Sequence, residues 1–120
     1  MFTRDIIEKC TLSRMIQKIE SEFMTHIYFA HAIADYDTDY ENECLKLIKE
    51  TFKDCIIHNP KDLNKLINKN LPEPGRFKAY FFPEILKCDT LVAAPVFNHN
   101  EKKGEFMSGT EKEIEYALEH

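Results

Sequence analysis

The sequence predicts an α/β fold built on a small parallel sheet with helices on both faces. Two observations and one rule of chain topology lead there. Short runs of β-formers stand at Ile27-Tyr28-Phe29-Ala30, at residues 54 to 58 and at residues 89 to 96. Stretches with apolar residues at helical spacing separate and follow them, giving the order β-α-β-α-α-β-α. Strands that alternate with helices pair in parallel, because each crossover returns the chain to the same edge of the sheet.

The elements follow in order. Residues 3 to 23 read as helix, with Leu12, Ile16, Ile19 and Phe23 on one side and Arg14, Gln17, Lys18 and Glu20 on the other. Residues 1–23 are therefore expected to form an N-terminal helical extension, and residues 24–120 the main domain. Met24 could serve as an alternative start. The first strand ends in a loop, His31 to Asp37, and Thr38 or Asp39 is a suitable cap for the next helix. That helix should turn Tyr40, Cys44, Leu47, Ile48 and Phe52 inward.

Asn59-Pro60 ends the second strand. Residues 61 to 69 suit a polar helix with Leu63, Leu66 and Ile67 inward. Leu71-Pro72-Glu73-Pro74-Gly75 reads as a break and as a mobile loop over a site. Residues 76 to 87 are helical again, with Pro83 tolerable at a kink or a helix start. After the third strand, Asn98 to Gly104 is a polar and flexible loop. Ser108-Gly109-Thr110 then opens the last helix. A further strand would be expected after it, and Leu118-Glu119-His120 resemble the start of a purification tag.

The 120 residues suffice for one core, with 43% hydrophobic and 31% charged residues. The 16 Lys and Arg against 21 Asp and Glu give a formal charge of −5, which argues against a polymeric nucleic acid as partner. No apolar run reaches membrane-spanning length, and Arg4, Asp5, Glu8 and Lys9 interrupt any signal-peptide pattern. Cys10, Cys44, Cys55 and Cys88 show no zinc-ligand spacing. They read as thiols in a reducing cytoplasm, with no metal expected.

The last helix carries the sharpest chemical signal. A buried strand, a loop, and a helix start bearing Glu113 form a common site at the ends of parallel strands. Thr110-x-x-Glu113 equally fits a capping box, in which the carboxylate merely closes its own helix. Placed in the first turn, Glu113 should be held ionised by the helix dipole.

Three pieces stand in order: Ile27-Tyr28-Phe29-Ala30-His31-Ala32-Ile33, then Cys88-Asp89-Thr90-Leu91-Val92-Ala93, then Gly109-Thr110-Glu111-Lys112-Glu113-Ile114-Glu115-Tyr116-Ala117. Together they resemble the nucleoside 2-deoxyribosyltransferase superfamily, which includes deoxynucleoside-monophosphate N-glycosidases. The resemblance runs from about Ile27 to the end. It implies a flavodoxin-like three-layer fold and cleavage or transfer at the N-glycosidic bond of a deoxynucleoside or its 5′-monophosphate. Glu113 falls on the family's nucleophile, which attacks C1′ as in a retaining glycosidase.

The same resemblance implies that the loop from Ala30 through His31 to Ile33 approaches sugar and base. Tyr28, Tyr36, Asp35 and Asp89 are candidates to line or support the pocket, and Ser108, Gly109 and Thr110 to meet a 5′-phosphate. It further implies a homodimer and chemistry that needs no cofactor. Two departures stand out. His31-Ala32 replaces the family's Gly-Pro, and Phe81 occupies a position where many members carry an acid that assists the departing base. Protonation would then fall to Asp35, Asp37 or His31. A non-catalytic nucleotide-binding module of the same fold is the alternative, and a plain interaction domain with a capping Glu113 is the third reading.

Overall fold

The computed structural model describes residues 24–67, 70 and 72–120, so the expected helical extension over residues 1–23 lies outside the described residues. Three strands, β1 (Thr25–Ala30), β2 (Cys55–His58) and β3 (Thr90–Ala93), form one parallel sheet in the order β2-β1-β3. Ile27 stands opposite Ile57 on one side and Thr90 on the other, and Ala30 stands opposite Ala93. The chain winds outward from β1 first to β2, then crosses back to β3. That reversal leaves a crevice beyond the C-terminal ends of β1 and β3.

The central strand is buried on both faces, which is why it reads as an unbroken apolar run. Its alternation divides the core in two. Ile27 and Phe29 pack with Ile48 and with Tyr40, Cys44, Leu45 and Phe52, from the helix α1 (Asp39–Thr51) and its C-cap. Tyr28 and Ala30 face the other way, against Phe82, Ile85, Tyr116 and Ala117.

Thr38 caps α1, accepting the Glu41 N–H at 3.3 Å while its own hydroxyl donates to the Asp35 carbonyl. Leu47, expected inward, is 63% exposed. It precedes Ile48 by one residue and so lies about 100° round the helix from the buried stripe. Leu45, three residues before Ile48, takes its place.

The helix after β2, α2 (Pro60–Asn64), is shorter than expected and starts at Asn59, whose side chain accepts the Lys61 N–H at 3.0 Å. Helical spacing therefore does not carry to Leu66, which is 73% exposed instead of buried. The expected break is corrected from Glu73 onward, where the chain is already helical. Helix α3 begins at Glu73–Arg76, passes through a π turn at Phe77–Phe81, and ends as Phe82–Leu86. Pro74 fits because a first turn needs no donor from it. The π turn directly precedes Pro83, whose missing N–H would interrupt a regular ladder at that point.

The polar loop after β3 closes on itself. Gly104 N–H donates to the Val96 carbonyl and Val96 N–H to the Glu105 carbonyl, both at 2.8 Å. Gly104 turns with φ +89°, a conformation that disfavours a side chain. The last helix, α4, spans Ser108–Glu119. Cys44, Cys55 and Cys88 are free and half-buried. Among the described residues, no helix is long and apolar enough to cross a membrane.

Candidate functional site

A cavity of about 310 Å³ occupies the crevice at the C-terminal ends of the strands. Four segments line it: His31 to Ala34 and Tyr36 after β1; Pro60, Asn64 and Ile67 after β2; Arg76, Phe77 and Phe81 of α3; and Met107 to Thr110 with Glu113 at the start of α4. Its size and its largely apolar wall with a few polar groups suit a small organic ligand.

Glu113 is buried, and its carboxylate accepts a hydrogen bond from the Tyr28 hydroxyl. Both side chains are fixed by the fold. Tyr28 is locked in the central strand, and α4 packs on the same face of the sheet through Tyr116 and Ala117. No capping box forms. Met107 is the N-cap, so Thr110 already lies within the helix and Glu113 falls in the second turn. The dipole acts mainly on the first turn, so it does not hold Glu113 ionised as the sequence suggested. Burial instead pushes this carboxyl up to about 7, with the Tyr28 bond pulling against it. Burial chiefly, and then the neighbouring Glu113, raise the Tyr28 phenol above its ordinary range, so Tyr28 keeps its proton and remains a donor.

Tyr28→Phe removes the bond that favours the ionised carboxylate. The Glu113 carboxyl is then expected to titrate above its present value of about 7. NMR titration of the Glu113 side chain checks this, and an unchanged or lower midpoint contradicts it.

His31 forms the wall beside the first loop, stacked 3.9 Å from the Phe29 ring. Its Nδ1 lies 2.9 Å from the Phe29 carbonyl and its Nε2 lies 2.6 Å from Glu41 Oε2. Both ring nitrogens thus face acceptors within the protein. Glu41 is wholly buried and also accepts the Asp37 N–H and the Lys61 ammonium, each at 3.1 Å.

Of the residues expected at a site, the structure brings together His31, Ile33, Tyr36, Ser108, Gly109, Thr110 and Glu113. Tyr28 stands behind the wall and reaches the cavity through Glu113, while Ala30 is buried beneath it. Asp35 and Asp89 are not in the lining. Asp35 accepts the backbone N–H groups of Phe97 and Asn98 at 3.0 and 2.8 Å and the Asn98 side-chain amide at 2.7 Å. It ties the first loop to the segment after β3. Asp89 accepts the His26 N–H at 2.8 Å, at the opposite end of the strands. Gly109 gives room to the Phe77 ring: a Cβ there would meet the ring tip at 3.3 Å.

Sequence reasoning missed Pro60, Asn64, Ile67, Arg76, Phe77 and Met107. Pro60 and Asn64 follow the end of β2, next to the central strand, and that adjacency was an available signal. Arg76 and Phe77 were hidden because Pro74-Gly75 reads as a break. Comparison with protein-family models, curated proteins and solved structures returns no match.

Proposed function

We propose that the cavity binds a nucleoside or its 5′-monophosphate, and that Glu113 is the nucleophile in cleavage or transfer at the N-glycosidic bond. The observation that carries this reading is a buried carboxylate facing a cavity of about 310 Å³, oriented by a tyrosine from the central strand. In its ionised form such a group attacks C1′ as the base departs, and the resulting glycosyl ester passes the sugar to water or to a second base. Tyr36 and Phe81 offer aromatic faces suited to a heterocycle. Ser108 and Gly109, at the start of α4, suit a 5′-phosphate. The sheet order is compatible with a flavodoxin-like arrangement, which this reading adopts. A homodimer and a cytoplasmic location belong to the same proposal.

The test is a panel of deoxynucleosides and their monophosphates, with release of free base as the readout. Absence of release from every member overturns the reading. The pH profile adds a second check. The nucleophile works as a carboxylate, so kcat/KM should rise with pH through about 7, the value to which burial brings Glu113. A rise centred near the ordinary carboxylate range would contradict that assignment.

A carboxyl that is half protonated near neutrality also accords with the second reading, a nucleotide-binding module without chemistry. Thermal shifts with nucleotides in the absence of turnover would favour it.

A further inference from the structure

The departing base raises a question that the cavity wall addresses. Among the described residues, the ionisable side chains lining the cavity are His31, Tyr36, Arg76 and Glu113. His31 has both ring nitrogens directed at protein acceptors, the Phe29 carbonyl and the Glu41 carboxylate. Arg76 does not release its proton in a protein. Tyr36 is a phenol pushed above its ordinary range by burial, then by Glu113 and Glu41. It can hydrogen-bond to a ligand but holds its proton tightly. The acids of the first loop are committed elsewhere. Asp35 accepts from Phe97 and Asn98, and the exposed Asp37 carboxylate pairs with Lys61 at 3.0 Å.

Apart from Asn64, Ser108 and Thr110, the remainder of the wall is aromatic and apolar. Phe77 and Phe81 lie with ring centroids 5.3 Å apart, and the Lys112 ammonium stands 5.4 Å from the Phe77 centroid. Aromatic faces attract cations, as Phe77 does Lys112, and a flat cationic heterocycle is such a cation.

We propose that the cavity takes an N-glycoside whose base is already cationic and departs without receiving a proton, such as a pyridinium or an N7-alkylated purine. The proposal rests on the N-glycosidic reading given above. The electron count shows why charge matters. The Glu113 carboxylate oxygen forms a bond to C1′ as the C1′–N bond breaks, and the electron pair of that bond stays on the base nitrogen. From a neutral nucleobase this yields an anion that must be protonated. From a cationic base it yields a neutral molecule. Water then cleaves the glycosyl ester, placing a hydroxyl on C1′, restoring the carboxylate and releasing a proton.

The experiment compares N7-methyl-2′-deoxyguanosine with 2′-deoxyguanosine, each with and without a 5′-phosphate, using the intact protein and subtracting spontaneous base loss. A positioned general acid is worth about 100-fold to 10,000-fold, so kcat/KM for the methylated substrate should exceed that for the unmethylated one by at least about 100-fold. If both are cleaved with a ratio under about tenfold, the site protonates its leaving group by another route. The proposal then falls while the N-glycosidic reading stands. If neither is cleaved, both fall. Undiminished cleavage of the methylated substrate by Glu113→Gln also overturns the proposal, because the attacking group would lie elsewhere.

Discussion

Glu113→Gln is expected to lower kcat for base release by on the order of ten-thousandfold or more, while the fold persists. The amide is nearly isosteric and its carbonyl can still accept from Tyr28, so the cavity keeps its shape. What it cannot do is donate an electron pair to C1′ with comparable reactivity. Stability should move in the opposite direction. The folded carboxyl is raised to about 7, mainly by burial, from an ordinary 4.5. Below the lower value both folded and unfolded chains hold the proton, and no penalty arises. Between the two values the unfolded chain ionises first, so stability drains away as pH rises, and the loss is complete above about 7. At pH 8 the Gln variant should therefore be more stable than the parent, by at most about 3 kcal/mol, and the advantage should vanish towards pH 4. Urea unfolding at the two pH values, run beside the base-release assay, measures both effects. Equal activity in parent and variant removes Glu113 from the chemistry, and an advantage of the variant over the parent no larger at pH 8 than at pH 4 contradicts the burial argument.

The parts of the chain where local pattern and packing agree were legible in the sequence. The run Ile27-Tyr28-Phe29-Ala30 had to be a strand buried on both faces, and helices on each side of it had to cover them. Thr38 was recognisable as a cap because a hydroxyl before a helical stretch has a definite local partner. The site was legible where it grows from a strand end or a helix start, as at His31, Tyr36, Ser108 and Glu113. It was not legible where a long-range partner decides a side chain's role. Nothing local shows that Asp35 will be consumed by Phe97 and Asn98, more than sixty residues away. Nor could spacing choose between Thr110 and Met107 as the start of α4. That three-residue difference moves Glu113 from the first turn to the second, beyond the dipole's main reach, and leaves burial to raise its carboxyl. The π turn was hidden as well, because Pro74, Gly75 and Pro83 each signal interruption on their own.

The second large effect is expected one side chain behind the cavity wall. Glu41→Ala should destabilise the protein by about 3–5 kcal/mol, because it strips a buried network of its only described anion that is wholly enclosed. The His31 Nε2, the Asp37 N–H and the Lys61 ammonium would all lose their common acceptor. Lys61→Met should cost less than Glu41→Ala, since Glu41 keeps the His31 and Asp37 N–H bonds and the Lys61–Asp37 pair is screened by water. The pH dependence carries a definite sign. Burial pulls the Glu41 carboxyl up, but the bonds from His31, the Asp37 N–H and Lys61 outweigh it and hold the group below its ordinary value of 4.5. Its contribution is therefore complete above that ordinary value and is lost as pH falls through the folded value. The gap between parent and Glu41→Ala should be widest at neutral pH and should close in acid. Base release should fall together with stability, because His31 forms a wall of the cavity and its Nε2 is held by Glu41. A gap under about 1 kcal/mol at pH 7 would show the network to be ornamental, and the first loop would then owe its shape to the Asp35 clamp instead.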